Sequence, residues 1–112
     1  MVGLSRYVPE AGDIVWLNFT PHAGHEQAGR RPALVLSTAG YNGKTGLMIC
    51  CPMTAQIKNY PFEVIINGSE PSAALADRVK SLDWKSRKAA RKSRVSPDEL
   101  ADVRAKIHAL LG

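Results

Sequence analysis

The chain has 112 residues and a mass of 12.2 kDa, which suits a single domain spanning residues 1–112. Hydrophobic residues make up 45% and charged residues 22%, which excludes a wholly disordered chain. The longest apolar run, Leu47-Met48-Ile49-Cys50-Cys51, falls far below the ~18 residues of a membrane span, and the first ten residues hold no signal-like apolar stretch. A soluble, cytoplasmic domain with no membrane association is expected.

Asp13-Ile14-Val15-Trp16-Leu17-Asn18-Phe19 is the first predicted strand, with Val15, Leu17 and Phe19 on one face at period two. A polar loop broken by Pro21, Gly24 and Gly29 follows to Arg31, and Pro32 introduces a second, buried strand over Ala33-Leu34-Val35-Leu36-Ser37. Tyr41-Asn42-Gly43-Lys44-Thr45-Gly46 reads as a hairpin turn, because Asn-Gly is the strongest short signal for one. Leu47 to Cys51 is the third strand, ending at Pro52-Met53-Thr54, and Phe62 to Ile66 is the fourth. Ser72 to Ala76 and Arg78 to Trp84 are two further short strands.

The adjacent Cys50 and Cys51 point to opposite faces of their strand and cannot pair without distortion. They are expected to be buried thiols in a reducing compartment. Ser96-Pro97-Asp98-Glu99 carries the signature of a helix start: a capping Ser, Pro at the first helical position, and Glu three residues after the cap. Leu100, Val103, Ile107 and Leu110 then form one apolar stripe that should pack on the sheet. The sum is a mainly β fold with a C-terminal α-helix, the strands forming a strongly curled antiparallel sheet or partial barrel.

Fifteen Lys and Arg against ten Asp and Glu give a net charge of +5. Six of the bases (Lys85, Arg87, Lys88, Arg91, Lys92, Arg94) fall in one segment without an acid, and the rest of the chain carries nine bases and ten acids. Such a concentration suits polyanion phosphates or an acidic partner, and a solvated loop is the plainer alternative. No dinucleotide-binding, P-loop or zinc-protease motif occurs, and the carboxylates are too scattered for a two-metal nuclease. No metal and no cofactor are expected. The loop Gly24-His25-Glu26-Gln27-Ala28-Gly29-Arg30-Arg31-Pro32 places a carboxylate, an amide and two guanidinium groups between strands, where binding and catalytic residues tend to sit.

The chain resembles the MazF/PemK family of toxin endoribonucleases from toxin–antitoxin modules, nearest its enterobacterial members. The resemblance runs collinearly through Gly12-Asp13-Ile14-Val15-Trp16, Glu26-Gln27-Ala28-Gly29, Arg31-Pro32, Tyr41-Asn42 with Lys44-Thr45-Gly46, Cys51-Pro52-Met53-Thr54, Tyr60-Pro61-Phe62-Glu63-Val64, and Leu75-Ala76-Asp77 with Val79-Lys80-Ser81. It implies an SH3-like barrel of the CcdB/MazF/PemK type, acting as a homodimer. The implied activity is metal-independent cleavage of single-stranded RNA at short motifs, with 2′-hydroxyl attack giving a 2′,3′-cyclic phosphate and a 5′-hydroxyl. The implied regulator is a cognate antitoxin of the MazE kind, whose acidic, extended tail blocks the RNA groove.

Carried over by the resemblance, Arg31 and Thr54 align with the family's catalytic Arg and Thr, and Glu26 and Gln27 with the loop pair beside them. Asp77 and Lys80 align with positions lining the groove. Arg30 and Lys58 join the substrate-binding candidates, with Tyr60 either a base contact or a packing residue. Glu26 is the thermodynamically easier base, because an Arg with a pKa above ~12 shuttles protons only at a cost. The family pattern asks nothing of His22, His25 or His108, and Ala55 stands where the family often has a second hydroxyl. A cleavage motif of three to five bases containing ACA is the implied preference. Two other readings remain: a CcdB-like gyrase poison, disfavoured because the chain ends in His108-Ala109-Leu110-Leu111-Gly112 rather than Trp-Gly-Ile, and a catalytically silent RNA- or antitoxin-binding module.

Overall fold

The computed structural model describes residues 7–18 and 29–112. Strand β1, Asp13–Asn18, alternates as its sequence demands. Val15 and Leu17 are buried on one face, Ile14 is buried on the other, and Trp16, on the Ile14 face, is partly exposed. Phe19, the predicted end of this strand, lies outside the described residues. The remaining strands are β2 (Arg30–Val35), β3 (Leu47–Thr54), β4 (Glu63–Ile66), β5 (Ser72–Leu75), β6 (Lys80–Asp83) and β7 (Ala90–Arg94). Among the described residues they form one antiparallel sheet in the order β4-β5-β3-β2-β1-β7, with β6 also paired to β3. β3 curls the sheet: Leu47–Cys50 pair with β6 on one edge, and Met53 and Thr54 pair with β5.

Both faces carry a core. Ile14, Leu34, Cys51, Met53 and Val64 form one cluster, closed by Val103 of helix α2 (Pro97–Leu111). Val15, Leu17, Val35, Met48, Cys50 and Trp84 form the other. The two cysteines thus lie in different cores, and burial pushes both thiols up to about 12. Helix α2 begins with the predicted capping box, Ser96 and Glu99 each accepting the other's backbone N–H. Leu100 and Ile107 pack on the first cluster with Val103, whereas Leu110 is exposed.

Three expectations need correction. The Asn42-Gly43 turn is a helix, α1 (Ala39–Thr45), capped by Thr38 and ended by Gly46 at φ 75°. Asn42 is fully buried; its side chain donates to the Pro9 and Ser37 carbonyls and accepts from the Ser37 hydroxyl, so tertiary hydrogen bonds override its turn preference. β2 starts at Arg30, before Pro32, because Arg30 and Arg31 pair with Asn18 and Leu17. Part of the basic segment is a strand: Ala90–Arg94 is β7, exposed throughout and held by β1.

Candidate active site

Arg31, on β2, and Thr54, the last residue of β3, line one cleft of about 490 Å³. Ile14 and Met53 are buried at its base, while Gln56 and Glu70 stand exposed around it. Trp16 and Pro32 are cross-strand partners and both face the cleft. The curl of the sheet explains the meeting, since β3 hands over from β2 to β5 within a few residues of Thr54.

The Thr54 hydroxyl accepts the Gln56 backbone N–H at 3.0 Å, which fixes the side chain and leaves its own proton to be donated. The Arg31 side chain is exposed and has no hydrogen bond or ion pair among the described residues. A planar fork of N–H donors, a hydroxyl donor and the Lys92 ammonium thus share one cavity with a single carboxylate among its described lining residues, Glu70. Its chemistry suits a phosphodiester.

The other candidates are placed less uniformly. Lys58 lines a smaller hollow of about 170 Å³ beside Tyr60 and Arg78, and that hollow shares Thr54 and Gln56 with the cleft. The loop carrying Lys58 is pinned by buried Glu63, which accepts the backbone N–H groups of Lys58 and Asn59, the latter at 2.7 Å. Asp77 accepts the Tyr60 hydroxyl proton at 2.7 Å, and that bond raises the Tyr60 pKa. Arg30 does not line the cleft: its guanidinium donates to the Asn18 side chain and the Lys88 carbonyl, a tie between β2 and the basic segment. Lys80 pairs with Cys50 in the β3–β6 ladder and lines neither hollow. Glu26 and Gln27, like His22 and His25, lie outside the described residues.

The basic segment from Lys85 to Arg94 reaches the cleft at one residue. Lys92 lines the cleft itself, with its Nζ 5.5 Å from the centre of the Trp16 ring. Its neighbours are structural: Arg94 and Arg91 face Asp13 at 2.6 and 3.9 Å, and Arg87 donates to the Asn18 carbonyl. Sequence reasoning missed Trp16, Lys92 and Glu70 as lining residues. The odd-face position of Trp16 beside Val15 and Leu17 was the available signal for the first.

The family model of the PemK-like, MazF-like toxins of type II toxin–antitoxin systems matches residues 10–111. The endoribonuclease toxin MazF of Escherichia coli K12 is 53% identical over 97% of this chain and 99% of its own length. The crystal structure of MazF from Deinococcus radiodurans is 57% identical, covers 95% of this chain and 98% of its own, and superposes with a TM-score of 0.84. A MazE-MazF crystal structure from the same organism matches at 52% identity over 95% of this chain and 97% of that one, also at a TM-score of 0.84. With this cleft on this sheet and matches over nearly the full length, the chain belongs to the PemK-like, MazF-like toxins of type II toxin–antitoxin systems.

Proposed function

We propose that the chain is a cytoplasmic, metal-independent endoribonuclease that cuts single-stranded RNA within the Arg31–Thr54 cleft and thereby blocks translation. The observation that carries the reading is that Arg31 and Thr54, far apart in sequence, line one cationic cavity of about 490 Å³ together with Lys92. The ribose 2′-oxygen attacks phosphorus while its proton passes to a base, assigned to Glu26. The bond from phosphorus to the 5′-oxygen breaks as that oxygen takes up a proton, leaving a 2′,3′-cyclic phosphate and a 5′-hydroxyl. Arg31 and Thr54 donate to the phosphorane oxygens as their charge grows, the step at which fixed donors lower a barrier most. Gln27 and Lys58 contact flanking nucleotides. The place of Arg30 in a tie between strands argues for a supporting role, and Asp77 acts through Tyr60.

A cognate antitoxin with an acidic tail fits the same cationic cleft and would compete with RNA for it. A homodimer is supported by an apolar hollow between sheet and helix, lined by Leu36, Ile49, Val79, Ile107 and Leu111. Leu111 there is 80% exposed in the single chain. The test is incubation of the purified protein with a long RNA in EDTA, followed by mapping of the product ends. Discrete cuts with 2′,3′-cyclic phosphate and 5′-hydroxyl termini are expected. Binding without cleavage would favour a silent binding module, and cleavage restored only by magnesium would overturn the metal-free mechanism.

A further inference from the structure

The pairing of β1 with β7 contains an irregularity at the cleft. Ile14 is opposite Ser93, but Val15 is opposite Arg91, so Lys92 is an extra residue on its strand, a β-bulge. Regular alternation would send Lys92 to the face opposite Ser93. The bulge instead leaves Arg91 facing the Asp13 side and turns Lys92 into the cleft, over Trp16. Bulges re-aim side chains in this way beside functional sites, and this one aims a cation at the aromatic ring that shares a cavity with Arg31 and Thr54.

Trp16 itself is placed without a packing reason. Its strand neighbours Val15 and Leu17 are fully buried, yet Trp16 is 36% exposed and belongs to neither core cluster. An indole in a cationic cleft, flanked by Pro32, is a platform on which an unpaired base can stack. In the free chain the Lys92 ammonium occupies that platform.

We propose that Trp16 and Lys92 form an exchangeable stacking site for one base of the substrate strand. The base displaces the Lys92 ammonium from the indole, and the ammonium moves to the phosphate of the same or the neighbouring nucleotide. One residue thus covers the ring when RNA is absent and neutralises a phosphate when RNA is bound. This inference rests on the assignment of the cleft as the RNA-cutting site and adds the residue that holds a base there.

The test uses an oligonucleotide of the cleaved sequence with 2′-O-methyl riboses, which binds but lacks the nucleophile. Each base in turn is replaced by an abasic position, and affinities are measured for the wild-type protein, Trp16→Leu and Trp16→Phe. Loss of one stacked base should weaken wild-type binding roughly ten- to hundredfold at a single position. Trp16→Leu should show no such sensitive position, and Trp16→Phe should keep it. Trp84 is buried, so acrylamide quenching reports mainly Trp16; Lys92→Gln should raise quenching in the free protein, and the oligonucleotide should lower it. The log–log salt slope of Lys92→Gln should be shallower by about 0.7, one phosphate contact on a single strand. An abasic profile identical in wild type and Trp16→Leu, or quenching unchanged by the oligonucleotide, would overturn the proposal. Arg31→Ala with cleavable RNA separates the two failures: cleavage at the wild-type rate sinks the site assignment, while an inactive Arg31→Ala beside an unaltered Trp16→Leu sinks the stacking site alone.

Discussion

Arg94 reaches across from β7 to the Asp13 carboxylate of β1 at 2.6 Å, and the carboxylate it meets is only 4% exposed. The same carboxylate accepts the Tyr7 hydroxyl at 2.6 Å and the Glu10 backbone N–H at 3.1 Å. Asp13 therefore gathers the entry to β1, the start of the described chain and the strand that carries Lys92 around one buried charge. Asp13→Ala strands several donors and should cost roughly 3 kcal/mol in urea unfolding. Arg94→Ala should cost about 1 kcal/mol, because Arg94 is half in solvent and the other donors remain. Equal, small losses for the two variants would contradict the central role of Asp13.

Burial keeps the Cys50 and Cys51 thiols protonated well past their ordinary range, up to about 12. In the unfolded chain the same thiols lose their protons near pH 8.5, so there the unfolded state binds fewer protons than the folded one. Their contribution is therefore fully present below that pH and is lost as pH rises toward about 12. Stability measured by denaturant should fall across this window, less so in Cys50→Ala with Cys51→Ala after allowing for the lower starting stability. Native protein at pH 8 should react with thiol reagents only on the timescale of opening.

The acid–base question is open to a pH–rate profile. If Glu26 takes the 2′-hydroxyl proton, Glu26→Gln should lose most activity and flatten the acid limb of kcat/KM. Glu70→Gln should keep that limb, because Glu70 is exposed at the cleft margin. A Glu26→Gln profile matching wild type, with the limb lost in Glu70→Gln, would transfer the role.

Cleavage should persist in excess EDTA and fall steeply with salt. Neutralisation of about four phosphates gives a log–log slope near −3 for a single strand. A flat salt dependence would place the RNA elsewhere than in the cleft shared by Arg31 and Lys92.

Local signals in the sequence were strongest where a single element satisfies itself. Ser96 and Glu99 cap their own helix, and Val15 and Leu17 announce their own buried face, so both elements were legible. Asn42 was not, because the groups that hold it in a helix, Pro9 and Ser37 among them, are brought to it by the fold. β7 was invisible for a similar reason: Ala90-Arg91-Lys92-Ser93-Arg94 has no apolar alternation, and it is a strand only because β1 offers it an edge. Of the residues that line the cleft, Arg31 and Thr54 were singled out through family resemblance. Lys92 was not, since its segment shows no strand period and only the bulge opposite β1 turns it into the cleft.

The most direct test of the account is the single-turnover cleavage rate of Arg31→Ala and Thr54→Val, each first checked for wild-type circular dichroism and oligomeric state. Arg31 is exposed and Thr54 closes its strand, so both variants should fold, although Thr54→Val loses the Gln56 backbone contact. Arg31→Ala should slow cleavage by at least ~10²–10³-fold, comparable to the loss of one oxyanion donor, and Arg31→Lys should recover little because an ammonium lacks the fork. Thr54→Val, which keeps the branched shape and deletes the hydroxyl, should also slow cleavage strongly. Folded Arg31→Ala and Thr54→Val proteins that cut RNA at the wild-type rate would contradict the assignment of this cleft as the active site.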